Sequence, residues 1–108
     1  MSGVTTHVLD AARGRPAADV PVRLRAAGGA VLGSGSTNPD GRVSDLTSGL
    51  LQAGTYQLIF DTAAYFSASG RPSFYPEVVI TFAISDPQQH HHVPLLLSPF
   101  AYSTYRGS

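Results

Sequence analysis

The chain has 108 residues, with seven arginines and no lysine against seven acidic side chains, a formal net charge of zero and no cysteine. Its length suits one domain over 1–108 with a modest core that buries roughly 65% of the unfolded surface, and its charge balance gives no electrostatic ground for nucleic acid or an anionic membrane as partner. The missing cysteines exclude disulfide staples, thiolate metal centres and thiol nucleophiles, and fit a reducing compartment.

The first residues, MSGVTTHVLDAARG, lack the apolar segment of a secretion signal, and no run reaches membrane-span length. A soluble cytoplasmic protein is the expectation. Charged residues make up 13% of the chain, about half the share usual for a globular domain. Part of the outer surface is therefore expected to meet another subunit.

Residues 5–9 read as a short strand, which the Gly-Pro-rich turn ARGRPAAD ends. Val20, Val22 and Leu24 alternate with Pro21, Arg23 and Arg25, the period of a strand with one buried face. AAGGAVLGSG breaks that strand and has room for a short partner around 30–32. NPDG is a strong turn signal, because Pro39 fixes one dihedral and Gly41 tolerates positive φ. Arg42 thus opens a strand directly behind a tight turn.

Tyr56, Leu58 and Phe60 alternate with Thr55, Gln57 and Ile59, which predicts a strand over 55–60. In DTAAYFSASG, Asp61 suits a helix cap, the following residues suit two short turns and Gly70 suits a stop. Residues 78–84 are again extended and β-branched, and 91–97 and 102–106 form a final pair around Ser98-Pro99. Short strands spaced by turns, with one brief helix, predict an all-β sandwich. The helices that would join parallel strands into a doubly wound α/β fold are missing.

Period-two geometry sends Val93, Leu95 and Leu97 to one face and His92, Pro94 and Leu96 to the other. Both faces are apolar enough to favour burial, and one sandwich covers only one of them. The second is expected to meet another subunit, in a cleft that gathers His92 and Tyr105. Spacing alone leaves bland roles open: the histidine run as surface or capping residues, His7 as a structural residue, Arg42 as a solvated turn exit and Tyr105 as a core plug. Zinc on His90, His92 and His7 is a further option, but no carboxylate or cysteine joins them at conventional ligand spacing, and His91 faces the other way.

The segments THVLDAARGRPA, TNPDGR, FYPEV and HHVPLLLSPFAYSTYRGS run through nearly the whole chain. In them the sequence resembles the transthyretin-related 5-hydroxyisourate hydrolases of purine breakdown. The resemblance implies a transthyretin-like β-sandwich of seven or eight strands with one short helix. It also implies a homotetramer, a dimer of dimers with its sites where the dimers meet. The family's histidine–arginine–histidine centre maps onto His7, Arg42 and His92, and its terminal tetrapeptide, which contributes to the pocket, onto Tyr105, Arg106, Gly107 and Ser108. No metal or other cofactor is implied. His91, where many relatives carry tyrosine, and the short GGAVLGSG loop are the differences, and both are expected to affect the rim.

The reaction so implied adds water to a ring carbonyl of a small purine-derived substrate and cleaves the adjacent C–N bond. The product is 2-oxo-4-hydroxy-4-carboxy-5-ureidoimidazoline. Such chemistry needs an activated water, a place for developing negative charge and a proton for the departing nitrogen. On this reading His7 and His92 handle protons, Arg42 orients the ring and stabilises the oxyanion, and Ser108 and Tyr105 position substrate or water. Arg106 is expected to pair with the terminal carboxylate. The alternative is a transthyretin-like protein that binds a small aromatic ligand without turnover. Transthyretin is similar in the VLDA and LLSP segments but lacks the histidine–arginine–histidine set and the YRGS ending that are present here.

Overall fold

Burial alternates strictly along the first strand, β1 (Gly3–Asp10): Val4, Thr6, Val8 and Asp10 point into the core, and Thr5, His7 and Leu9 point out. This computed structural model describes residues 3–43, 46–47 and 51–108. Behind β1 come β2 (Arg15–Pro16), β3 (Pro21–Ala26), β4 (Val31–Ser36), β5 (Arg42–Val43) and β6 (Gly54–Phe60). The helix α1 (Thr62–Ala68) and the strands β7 (Val78–Ile84), β8 (His90–Ser98) and β9 (Ala101–Thr104) complete the chain.

Two sheets pack face to face. One has the order β2-β1-β8-β9, with β5 also paired to β1, and the other has the order β4-β3-β6-β7. Val4, Val8, Val93, Leu95 and Leu97 from the first sheet meet Val22, Leu24, Leu58, Phe60, Val78 and Ile80 from the second in one core. Full burial of each such aliphatic side chain is worth roughly 1.5–3 kcal/mol. The two-residue strands β2 and β5 share one edge of β1: β2 pairs at Leu9 and Asp10, β5 at Thr6 and His7. This is the expected all-β sandwich, with seven longer strands among the described residues and one short helix. No helix of the described residues is long and apolar enough to cross a membrane.

Two boundaries differ from the sequence expectation. The partner strand foreseen around 30–32 runs from Val31 to Ser36, because the pairing shifts register between Leu24 and Arg25 and then continues to Pro21. The last strand, foreseen over 102–106, stops at Thr104. Its cause is Pro94. The ladder of β8 with β9 runs in register from Ser98↔Ala101 to Leu95↔Thr104, and the next pair would need an N–H that proline lacks. Beyond that gap the pairing resumes in the same register as a single bridge, His92↔Gly107. The strand opened by Arg42 comprises Arg42–Val43, and the two residues after it lie outside the described residues.

Asp61 caps α1 as expected, its Oδ1 accepting the Ala64 amide at 3.1 Å. Phe66 anchors the helix in the core. A buried ion pair ties the helix region to β1: Asp10, fully buried, accepts from Arg71 Nη2 and Tyr65 Oη at 2.6 Å each, and from the Arg13 amide at 2.9 Å. Burial by itself would raise the Asp10 carboxyl pKa. The hydrogen bonds from Arg71, Tyr65 and the Arg13 amide outweigh it and bring the value to about 2.

A carboxyl held below its unfolded value stabilises the fold above that value and loses its contribution as pH falls through the folded one. The shift from 3.8 to about 2 corresponds to about 2 kcal/mol at neutral pH. Asp10→Ala is expected to lower the unfolding free energy by about 2–4 kcal/mol at pH 7, since it leaves Arg71 and Tyr65 without their acceptor. In urea unfolding at a series of pH values, the gap between wild type and variant should narrow as pH falls from about 4 towards 2.

Candidate active site

The polar centre forms on the outward face of the first sheet, where three strands bring their side chains into register. Parallel pairing of β1 with β8 sets Thr5 opposite His92 and His7 opposite Pro94. Antiparallel pairing of β1 with β5 sets His7 opposite Arg42. Directly opposed residues share a face of the sheet. His7, Arg42 and His92, separated by up to 85 positions in sequence, therefore meet on one surface.

Arg42 reaches that surface because the preceding turn docks on β1. Asn38 closes the turn, its side-chain oxygen accepting the amides of Asp40 and Arg42 at 2.9 and 3.0 Å. Gly41 then accepts the Val8 amide with its carbonyl at 2.7 Å. Its φ of +76°, and the 2.3 Å that would separate an added Cβ from the Val8 carbonyl oxygen, leave room for glycine alone.

An open groove of about 270 Å³ lies here, lined by Thr5, Thr6, Arg42, Val43, His90, His92 and Ser108. His7 is not among the lining residues; it stands opposite Arg42 on the same face, and its charge acts on His92. The His7 Nε2 lies 2.9 Å from the Asp40 carbonyl oxygen. A carbonyl only accepts, so Nε2 carries the hydrogen and, in the neutral ring, Nδ1 holds the free lone pair. The His92 Nδ1 lies 2.8 Å from Thr5 Oγ1, and His90 Nε2 lies 2.8 Å from the same hydroxyl.

Burial lowers the His92 pKa below 6.5, and the neighbouring positive charges of Arg42, His90 and His7 lower it further, against a hydrogen bond to the Thr5 backbone that raises it. The surroundings of His92 thereby favour its neutral form. His91 points the other way, into the core side, where burial and then Arg106 lower its pKa.

The four terminal residues divide between two places. Ser108 lines the groove with Arg42 and His92. Gly107 packs against the His92 ring: its amide donates to the His92 carbonyl at 2.9 Å, and an added Cβ would lie 2.4 Å from His92 Cδ2. Tyr105 and Arg106 instead line a separate cavity of about 240 Å³ with Phe82 and His91, which His92 borders from its other side. The pairing expected between Arg106 and the terminal carboxylate is replaced by a hydrogen bond from Arg106 Nη2 to Gln89 Oε1 at 3.2 Å.

His90 and His92 do point together, with ring centroids 6.2 Å apart. The Thr5 hydroxyl occupies the nitrogens they turn towards each other, and no group of three or more potential metal donors converges among the described residues. A larger cavity of about 520 Å³ lies on the second sheet between Arg23, Ile59, Asp61 and Glu77. It contains no imidazole and so no group that exchanges protons near neutrality. Thr5, Thr6 and Val43 line the groove without being singled out in the sequence, and His90 stands out there only as a zinc ligand. Nothing in the sequence marks Thr5, since its place beside His92 depends on which strand lies next to β1.

The model of the HIUase/Transthyretin family matches residues 4–107. A 5-hydroxyisourate hydrolase of Caulobacter vibrioides is 48% identical over 115 residues, with 100% of each chain covered. The solved structure of Klebsiella pneumoniae 5-hydroxyisourate hydrolase superposes with a TM-score of 0.91 at 40% identity, covering 100% of this chain and 94% of that one. Transthyretin from Sparus aurata superposes with a TM-score of 0.88 at 31% identity, covering 99% and 97%. With its fold and nearly its whole length shared, the chain belongs to the HIUase/transthyretin family.

Proposed function

We propose that the protein hydrolyses 5-hydroxyisourate in purine breakdown, at the groove where Arg42, His92 and Ser108 meet beside His7. The observation that carries this reading is a neutral imidazole of depressed pKa next to a guanidinium on one solvent-accessible surface. Relatives that share close to half of the sequence over their full length carry the same activity in their names. A ligand-binding protein without turnover has no need of a base held below its ordinary pKa.

His92 takes a proton from water, whose oxygen adds to a ring carbonyl. The Arg42 guanidinium, with its planar fork of donors, orients the ring and stabilises the oxygen-centred charge that develops. His7, with Nε2 committed to the Asp40 carbonyl, has Nδ1 free to orient the water or to exchange a proton with the departing nitrogen. Collapse breaks the adjacent C–N bond. Ser108 sits where its hydroxyl can bind ring atoms or water. Tyr105 and Arg106 act from behind, shaping the cavity on the other side of His92.

The working form is a homotetramer built as a dimer of dimers, in which the open groove is closed by another subunit. The wholly exposed strand β9 and the exposed Tyr102 and Tyr105 support that arrangement.

Freshly generated 5-hydroxyisourate should decay faster with the protein than without it, followed by ultraviolet absorbance within the first minutes. His7→Ala, His92→Ala and Arg42→Lys are each expected to lower kcat by about 10²–10³ while the assembly measured by light scattering is kept. Saturable binding with no acceleration would identify a carrier instead.

Because His92 acts as the neutral form, the acid limb of kcat/KM is expected below pH 6.5. Arg42→Gln removes a charge that holds this pKa down, so the His92 titration followed by NMR should move up towards 6.5. Gly107→Ala, whose Cβ would lie 2.4 Å from His92 Cδ2, should displace that ring and cost about tenfold or more in kcat/KM. The melting temperature should change little, because the nearest atoms to the added Cβ belong to His92 and Pro94, neither of which is part of the hydrophobic core.

A further inference from the structure

The Thr5 hydroxyl bridges two histidines, and the proposed reaction does not explain why. Its oxygen lies 2.8 Å from His92 Nδ1 and 2.8 Å from His90 Nε2. A hydroxyl has one hydrogen to donate and two lone pairs to accept with. When it donates to one ring nitrogen, it accepts from the other. The two rings are thus coupled: with His92 Nδ1 as donor to Thr5, the Thr5 hydrogen goes to His90 Nε2, and His92 Nε2 is left as a bare base.

Stoichiometry gives that coupling a use. Hydrolysis of a cyclic amide supplies two protons from one water, and one of them goes to the departing nitrogen. The new carboxyl group has a pKa of about 4 and ionises at pH 7, so the second proton leaves the site. If it stayed on His92, the base would remain charged beside Arg42 and could not serve the next turnover.

We infer that Thr5 and His90 are positioning residues for His92 that hold its Nε2 unprotonated and carry the captured proton out to solvent. This rests on the reading of His92 as the base. In the transfer, water gives a proton to His92 Nε2. His92 Nδ1 passes its own hydrogen to Thr5 Oγ1 as the Thr5 hydrogen moves to His90 Nε2, and His90 releases a proton from its other nitrogen. Each ring and the hydroxyl gain one hydrogen and lose one, which leaves the hydrogen of His92 on Nε2. When that hydrogen goes to the departing nitrogen the line runs back, His90 taking a proton from solvent, and Nε2 is bare again while the new carboxyl group releases the second proton. His90 is exposed and His92 only partly so, which gives the transfer its outward direction.

Strand register makes the arrangement. Parallel pairing sets Thr5 opposite His92, and Gly3 opposite His90. The His90 ring lies at 29° to the His92 ring, centroids 6.2 Å apart. His91, between them, turns inward and takes no part. The charged and titratable groups that face the line are Arg42 from β5 and His7 from β1.

The test combines kinetics with a tautomer measurement that needs no turnover. Thr5→Val keeps the shape and removes the hydroxyl. It is expected to lower kcat about tenfold or more in dilute buffer with KM within about threefold, and Thr5→Ser should recover most of the rate. His90→Gln, at an exposed position, should lower kcat several-fold in dilute buffer and regain it when free imidazole is added as a proton acceptor, a rescue that a packing role would not show. Independently, ¹⁵N–¹H NMR of the neutral His92 ring should find the hydrogen on Nδ1 in the wild type and on Nε2 in Thr5→Val.

Wild-type kcat in dilute buffer for both Thr5→Val and His90→Gln would overturn the inference. So would an Nε2–H tautomer of His92 in the unaltered protein. Should His92→Ala keep full activity, the base assignment itself fails, and the tautomer result still decides whether Thr5 and His90 set the His92 ring.

Discussion

The parallel pairing of β1 with β8 is the constraint on which the rest of the molecule depends. These strands come from opposite ends of the chain, and eight consecutive register pairs, from Gly3↔His90 to Asp10↔Leu97, hold them side by side. On the inner face the pairing aligns Val4, Val8, Val93 and Leu95 for the core. On the outer face it aligns Thr5 and His7 with His92. A slip of one residue would turn every one of these side chains to the wrong side of the sheet. Thr6 adds a lock, donating from its buried hydroxyl to the Val93 carbonyl at 2.6 Å.

Proline and glycine do specific work around that pair. Pro94 removes the donor that would continue the ladder into the tail, so β9 ends at Thr104 and the chain leaves β8. Gly107 brings it back, at a distance from His92 that no larger residue tolerates. Two of the tail residues face a second cavity while the last one lines the groove. Gly41 plays the corresponding part for Arg42, allowing the turn to press against the backbone of Val8.

Charge is handled in opposite ways at the two ends of β1. At Asp10 a buried carboxylate is fully compensated by a guanidinium, a phenol and an amide, so its charge is secure and its contribution is to stability. Around His92 burial and nearby positive charge outweigh the hydrogen bond to the Thr5 backbone and weigh against the protonated ring. Protonation of that ring would cost stability, so its surroundings favour the neutral imidazole.

The strands, the short helix with its Asp61 cap and the NPDG turn were legible in the sequence, because each depends on neighbours one to four residues away. Alternation alone sorted Val93, Leu95 and Leu97 from His92 and Leu96. The candidacy of His7, Arg42, His92 and the terminal tetrapeptide came from resemblance; spacing left their roles open. Only the tertiary structure decided that β1 lies parallel to β8, since hydrogen-bonding groups of the backbone are the same whatever strand they meet. From that choice of neighbour follow the Thr5 bridge, the part of His90 and the division of the tail between Ser108 in the groove and Tyr105 and Arg106 behind it. Their physical basis is cross-strand proximity between residues up to 87 positions apart, and no local pattern encodes it.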